Sequence, residues 1–136
     1  MKAATILLLL ITLSGFAQDP IADRRVSLDE EFTLKNGQQV TIDGEKLTLK
    51  FSSVFHDSRC PSSVTCVWAG NGAIVLEVSR KKKKAVQAML NTLLDPKQIV
   101  FKAYTVRMVA LNPYPKTPGE IDPSEYEAVL IVSKRQ

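Results

Sequence analysis

The chain has 136 residues, 45% of them hydrophobic, and a formal net charge of +4. That length suits one domain with a single core that needs neither a metal nor several disulfides. Five of the positive charges fall together in "RKKKK", residues 80–84, so the basic balance is a local property and gives little ground for a nucleic-acid binder.

The chain opens "MKAATILLLLITLSGFAQDP". Lys2, a short apolar run from Ala3 to Leu13, and small residues at Gly15 and Ala17 have the layout of a secretory leader cleaved after Ala17. The run is shorter than the roughly 20 residues that cross a bilayer, and no later segment is apolar enough to cross. No cysteine lies at the cleavage site, so no lipid anchor is expected. Residues 1–17 are read as a leader, 18–25 as a flexible lead and 26–136 as one β domain, exported to the periplasm or the medium. Without Lys2 the exported chain carries 17 basic and 14 acidic side chains.

"EFTLKNGQQVTID" alternates Phe32 and Leu34 with polar neighbours, turns at Asn36-Gly37 and alternates again through Val40 and Ile42. That spacing predicts a hairpin. Asp43-Gly44 offers a second turn. "KLTLKFSSVF" places Leu47, Leu49 and Phe51 on one face, and the pattern slips near Ser52-Ser53, where a bulge is expected. "AIVLEVS" is a strand with Ile74, Leu76 and Val78 inward. Residues 85–94 fit helical and strand spacing alike; the Lys run before them makes a solvated hairpin tip, which favours a strand. "YTVRMVAL" places Tyr104, Val106 and Met108 on one face. "YEAVLIVS" is apolar on both faces and reads as a central strand. Between these two lies "NPYPKTPGEIDPSE", residues 112–125, with four of the seven prolines, read as a stiff surface loop. The sum is an all-β fold, an antiparallel sandwich or flattened barrel of seven to eight strands.

The dense stretch is "HDSRCPSSVTCVWAG", residues 56–70. It holds the only histidine, both cysteines and the only tryptophan. Export makes a Cys60–Cys66 disulfide the default. By chain entropy it is worth about 2–2.5 kcal/mol. Five residues separate the cysteines, where redox pairs usually leave two. His56, Asp57 and Ser58 are the residue types of a nucleophilic triad, but they are consecutive, and in an extended chain Asp57 points away from the other two. One histidine and two bridged cysteines do not make a zinc site, and no loop alternates Asp and Asn as calcium loops do. No catalytic residue, metal or cofactor is therefore assigned. The structural reading explains more. Asp57 and Ser58 hydrogen-bond backbone NH groups, Arg59 satisfies carbonyls or pairs with Asp57, and Pro61 stiffens the bridged loop. Trp68 packs on the disulfide as the chain re-enters the core, and Gly70 and Gly72 bend it into the next strand.

"DSRCPSSVTCVWAGNGAIVLEV" resembles the signature of a family of small, uncharacterised bacterial secreted proteins and lipoproteins. The likeness extends to "NGQQVTIDGEKLTLKF" before it, and to Asn-Pro-Tyr-Pro and the closing "YEAVLIV" strand after it, so it covers nearly all of the exported chain. It implies an all-β fold and export, and it implies no activity. Many members carry a lipid-attachment cysteine, which this chain lacks.

The leading expectation is a non-enzymatic exported domain, monomeric, that binds a protein or an envelope component through loops at one end of its sheets. Arg59, Trp68 and Tyr114 are the candidate contacts. The alternatives are a small periplasmic hydrolase using His56 with Asp57, and a basic patch, Arg80 to Lys84, that binds an anionic polymer or lipid.

Overall fold

Alternation of apolar and polar residues dominates the chain, and in the computed structural model, which describes residues 24–136, every long alternating run is a strand. The expected leader, 1–17, and the lead up to residue 23 lie outside the described residues. The strands are β1 (Arg25–Val26), β2 (Glu31–Lys35), β3 (Gln39–Ile42), β4 (Leu47–Asp57), β5 (Gly72–Arg80), β6 (Val86–Asn91), β7 (Gln98–Phe101), β8 (Tyr104–Asn112) and β9 (Glu127–Lys134). One sheet runs β1-β3-β4-β5-β6 and the other β2-β9-β8-β7. All pairings are antiparallel except β1 with β3. Nine strands exceed the expected seven or eight, because the short β1 and β7 carry little periodic signal.

The core lies between the sheets. Val40, Ile42, Leu49, Phe51, Leu76 and Leu90 of the first sheet are buried in it, and they meet Leu34, Tyr104, Val106, Leu130 and Val132 of the second. Alternate residues point to opposite faces of a strand, so each run delivers one apolar row to this layer. β9 sits inside its sheet, and its outward Val129 and Ile131 are half-buried. Residues 86–91 are a strand paired with β5, as the Lys tip implied.

Asn36-Gly37 does not make the expected hairpin. β2 pairs with β9 and β3 pairs with β4, so the turn carries the chain from one sheet to the other. Gln38 N donates to Lys35 O at 2.9 Å and closes the turn. Asn36 N then goes to Tyr126 O beside β9, and Gly37 N to Phe51 O of β4. Alternation cannot separate the two outcomes, because Phe32, Leu34, Val40 and Ile42 face the same core either way. Nor is the lead free to its end: Arg24 O accepts from Thr41 N, and Arg25 pairs with Thr41 in β1.

Among the described residues, five that are not glycine have positive φ: Asp29, Lys46, Lys81, Lys82 and Lys102. Such residues cost on the order of 1 kcal/mol or more each where glycine costs nothing.

The topology sets an order of opening. In amide hydrogen exchange, β4, β5, β8 and β9 exchange slowest, because they are flanked on both sides, and the four-residue edge strand β7 exchanges much faster. Equal protection of β7 and β8 would contradict this sheet order.

Candidate functional site

The dense stretch begins where β4 ends, and two bulges decide how it ends. The register of β4 on β5 shifts between Phe51 and Ser53 and again between Val54 and His56. Each extra residue swaps the faces of the strand, and two swaps restore the original parity. Asp57 is thereby opposite Gly72, on the row that continues inward through Ile74 and Leu76. Phe55 and His56 are left exposed.

Beyond the sheet the pairing continues. Ser58 N donates to Asn71 O, Asn71 N to Ser58 Oγ and Cys60 N to Ala69 O. Gly70 is required here. Its φ is +75°, and a Cβ would lie 1.9 Å from Ser58 O. The Cys60–Cys66 disulfide closes the loop above, with Cα atoms 5.9 Å apart.

Arg59 turns inward and is only 7% exposed. Its Nε donates to Asp57 Oδ1 at 2.8 Å and its Nη2 to Asp57 Oδ2 at 2.7 Å, a two-pronged ion pair. The same guanidinium reaches the second sheet: Nη1 donates to Leu111 O at 2.5 Å and Nη2 to Pro113 O at 2.9 Å. Tyr126, next to β9, donates its hydroxyl to Asp57 Oδ2 at 2.9 Å. Space for the guanidinium comes from Gly72, where a Cβ would stand 3.2 Å from Arg59 Nε. Burial alone would raise the Asp57 carboxyl, but the hydrogen bonds from Arg59 and Tyr126 outweigh it and hold the group below its ordinary range. Burial, and then the Asp57 carboxylate, push Tyr126 up to about 12.

Three loops meet at this end. The bridged loop is laced to the proline-rich loop: Tyr114 donates its hydroxyl to Cys60 O at 2.7 Å, Ser62 N donates to Pro115 O and Ser63 N to Lys116 O. The loop after β6 is held by Asn71. The side chain of this fully buried residue accepts from Leu93 N and Leu94 N and donates to Asn91 Oδ1. What the three loops leave outside is apolar. Val64, Val67, Trp68, Leu93, Leu94 and Tyr114 are all exposed. Leu93 and Tyr114 line a hollow of about 280 Å³ with Ala69, Gly70 and Ala110. No residue from Cys60 to Leu76, or from Ala88 to Leu94, is charged.

The expected contacts therefore separate. Arg59 belongs to the internal clasp, with its ring-stacking partner Tyr114 5.3 Å away. Tyr114 presents the rest of its ring outward. Trp68 is not in the core: it is 51% exposed, because the glycine turn behind it, not the indole, fills the space against Ser58. Asp57, Ser58, Pro61 and Gly70 hold positions in the clasp and its loop. His56 lies over a separate hollow of about 430 Å³ shared with Pro61, Glu120 and Tyr126. Among the described residues no hydrogen bond reaches its imidazole; its ring meets only Phe55, edge-on at 5.5 Å. Both oxygens of Asp57 are committed to Arg59 and Tyr126. Asn71, Tyr126, Val67, Leu93 and Leu94 were not singled out in the sequence. The signal for Asn71 is its place between Gly70 and Gly72, and the signal for the leucines is an adjacent apolar pair that breaks strand alternation.

Arg59→Ala leaves the Asp57 carboxylate buried and unpaired, and is expected to lower stability by about 3–5 kcal/mol in urea unfolding. The Asp57 contribution is complete above the ordinary carboxyl value of 3.8 and is lost as the pH falls below it toward the depressed folded value. The Tyr126 contribution runs the other way. It is complete below 10.0 and is lost as the pH rises from there toward 12, because the unfolded phenol ionises first. Melting temperatures across pH check both signs: Asp57→Asn should flatten the acid limb and Tyr126→Phe the alkaline limb.

No protein-family model, no curated protein and no solved structure matches the chain.

Proposed function

We propose that this protein is an exported, non-enzymatic binding module that holds a protein partner against the apolar end of its sandwich. The observation that carries this is the set of exposed apolar side chains on three loops that are hydrogen-bonded to one another. Loops on a rigid β scaffold are common binding elements, and an exposed apolar patch is costly to keep without a use. Tyr and Trp are the residues on which interface energy concentrates. Loops already fixed by the clasp and the disulfide lose little freedom on binding, which favours affinity. The absence of charge along residues 60–76 favours an apolar protein surface over a sugar polymer, which presents a dense array of hydroxyls. Export is supported by the leader-like residues 1–17 and by the disulfide. Among the described residues no helix is long and apolar enough to cross a membrane.

The hydrolase alternative has less support, since the acid expected to orient His56 is committed elsewhere. It would need a second polar group near the imidazole, and Glu120 is the candidate that shares its hollow.

The test uses the purified, oxidised protein as bait for cell-envelope extract, beside Val67→Ser/Trp68→Ala. Both side chains are exposed, so the variant should melt like wild type. A specific protein captured by wild type should bind the variant at least 30-fold more weakly, the factor expected for one lost anchor of about 2 kcal/mol. Trp68 is the only tryptophan, so its emission should shift to shorter wavelength when that partner is added. Equal capture by the variant, or an unmoved spectrum in the complex, would remove this end from the interface.

A further inference from the structure

The opposite end of the sandwich is made of tight turns, and lysines occupy the positions where a turn favours glycine or asparagine. Lys46 ends the β3–β4 turn with φ 51°, Lys81 and Lys82 make the β5–β6 tip with φ 55° and 56°, and Lys102 begins the β7–β8 turn with φ 54°. Four of the five strained non-glycine residues described are thus lysines at one end of the molecule. Glycine at each would relieve the backbone and cost no packing, since all four side chains are exposed. The sequence keeps a positive charge there at the expense of stability.

These cations form one face. Lys81 N donates to Lys46 O, which joins the two tips of the first sheet. Arg80 from that sheet and Lys134 from the other stand over the same Tyr104 ring, 5.5 and 5.9 Å from its centre. Arg135 N donates to Ala103 O, beside Lys102. Lys83 and Lys84 extend the β5–β6 tip outward. The carboxylates nearby are engaged: Glu45 accepts from Lys134 and Tyr104, and Asp43 pairs with Arg25 at 3.5 Å.

We propose that this end docks on an anionic lipid surface. Three arguments select that occupant. The charges sit on convex tips spread over both sheets, the shape that meets a plane and not the groove that tracks a strand. Lysine is a mobile point charge suited to a diffuse negative field, whereas fixed phosphate recognition favours the arginine fork. The exposed aromatic residues Phe55, Trp68 and Tyr114 lie toward the other end, so nothing here stacks on bases or sugar rings. The inference is independent of the protein-binding reading, which uses other residues.

The test is sedimentation of the purified protein with vesicles of mixed phosphatidylglycerol and phosphatidylcholine, beside vesicles of phosphatidylcholine alone and beside soluble inorganic polyphosphate. Wild type should partition onto the anionic vesicles only, and less so as salt is raised. Lys81→Gly/Lys82→Gly should lose about 25-fold in partitioning, about fivefold per lysine, and should melt no lower than wild type. Lys81→Arg/Lys82→Arg should bind as wild type does. Equal partitioning onto both vesicle types, full binding by the glycine variant, or a glycine variant that melts lower would each overturn the proposal. So would binding to polyphosphate without binding to vesicles, which would assign the face to a soluble polyanion.

Discussion

The ion pair between Asp57 and Arg59 is the contact on which one whole end of the molecule rests. Taking two charges out of water costs several kcal/mol per ion, and the pair is favourable only if geometry and further hydrogen bonds offset that cost. Here they do. Both carboxylate oxygens meet the guanidinium, one also takes the Tyr126 hydroxyl, and the guanidinium spends its other donors on Leu111 O and Pro113 O. The acid comes from the first sheet, and the two carbonyls and the phenol come from the second, so the pair joins the two layers where side-chain packing thins out. Other features are conditions for it. Two bulges in β4 return Asp57 to the inward row, and Gly72 leaves room for the guanidinium.

With that end fixed, what lies beyond it is held from several sides. The bridged loop hangs from Ser58 and Cys60 at its base and from Pro115, Lys116 and Tyr114 at its side. Asn71 gives its side-chain oxygen to the loop after β6. The polar groups of all three loops thus turn inward, to one another, and the apolar side chains are what is left to face solvent. An exposed Trp68 and Val67 follow directly from a loop whose hydrogen bonds are satisfied internally. β4, at about 3.3 Å per residue, sets the two ends roughly 30 Å apart, so ligands at the two ends would not compete for space.

Much of the fold was legible because alternation is a direct record of burial. Leu47, Leu49 and Phe51, or Tyr104, Val106 and Met108, are inward for the reason their spacing states. Alternation records the face of a strand and not its neighbour, which is why Asn36-Gly37 read as a hairpin and is a crossing between sheets. β7 escaped notice because its turn uses Lys102 and Ala103 in place of the glycine or asparagine that marks a two-residue hairpin. The Asp57–Arg59 pairing was readable from their closeness in sequence. Its reach to Leu111, Pro113 and Tyr126 was not, since those contacts span 52 to 69 residues and leave no local pattern. Trp68 was misplaced by its type: a lone tryptophan beside a disulfide reads as core, and only the three-dimensional path of Ala69 and Gly70 shows the space behind it already filled by backbone.

Departures from low-cost local chemistry are not spread evenly over this chain. Its middle follows ordinary rules, with apolar rows buried between two sheets and polar rows outside. One end buries an ion pair and exposes a tryptophan, two leucines and a tyrosine. The other places four lysines in a backbone conformation that glycine adopts freely. Neither choice helps the fold to form. A buried pair is no more stabilising than apolar residues of similar volume, and strained lysines destabilise outright. Natural sequences keep such conflicts mostly where another requirement holds them. In a domain whose core is already closed by Phe51, Leu76, Leu130 and Tyr104, the surfaces at the two ends are where that other requirement acts. The contrast between them, uncharged and apolar against cationic and convex, means that it is not the same requirement twice.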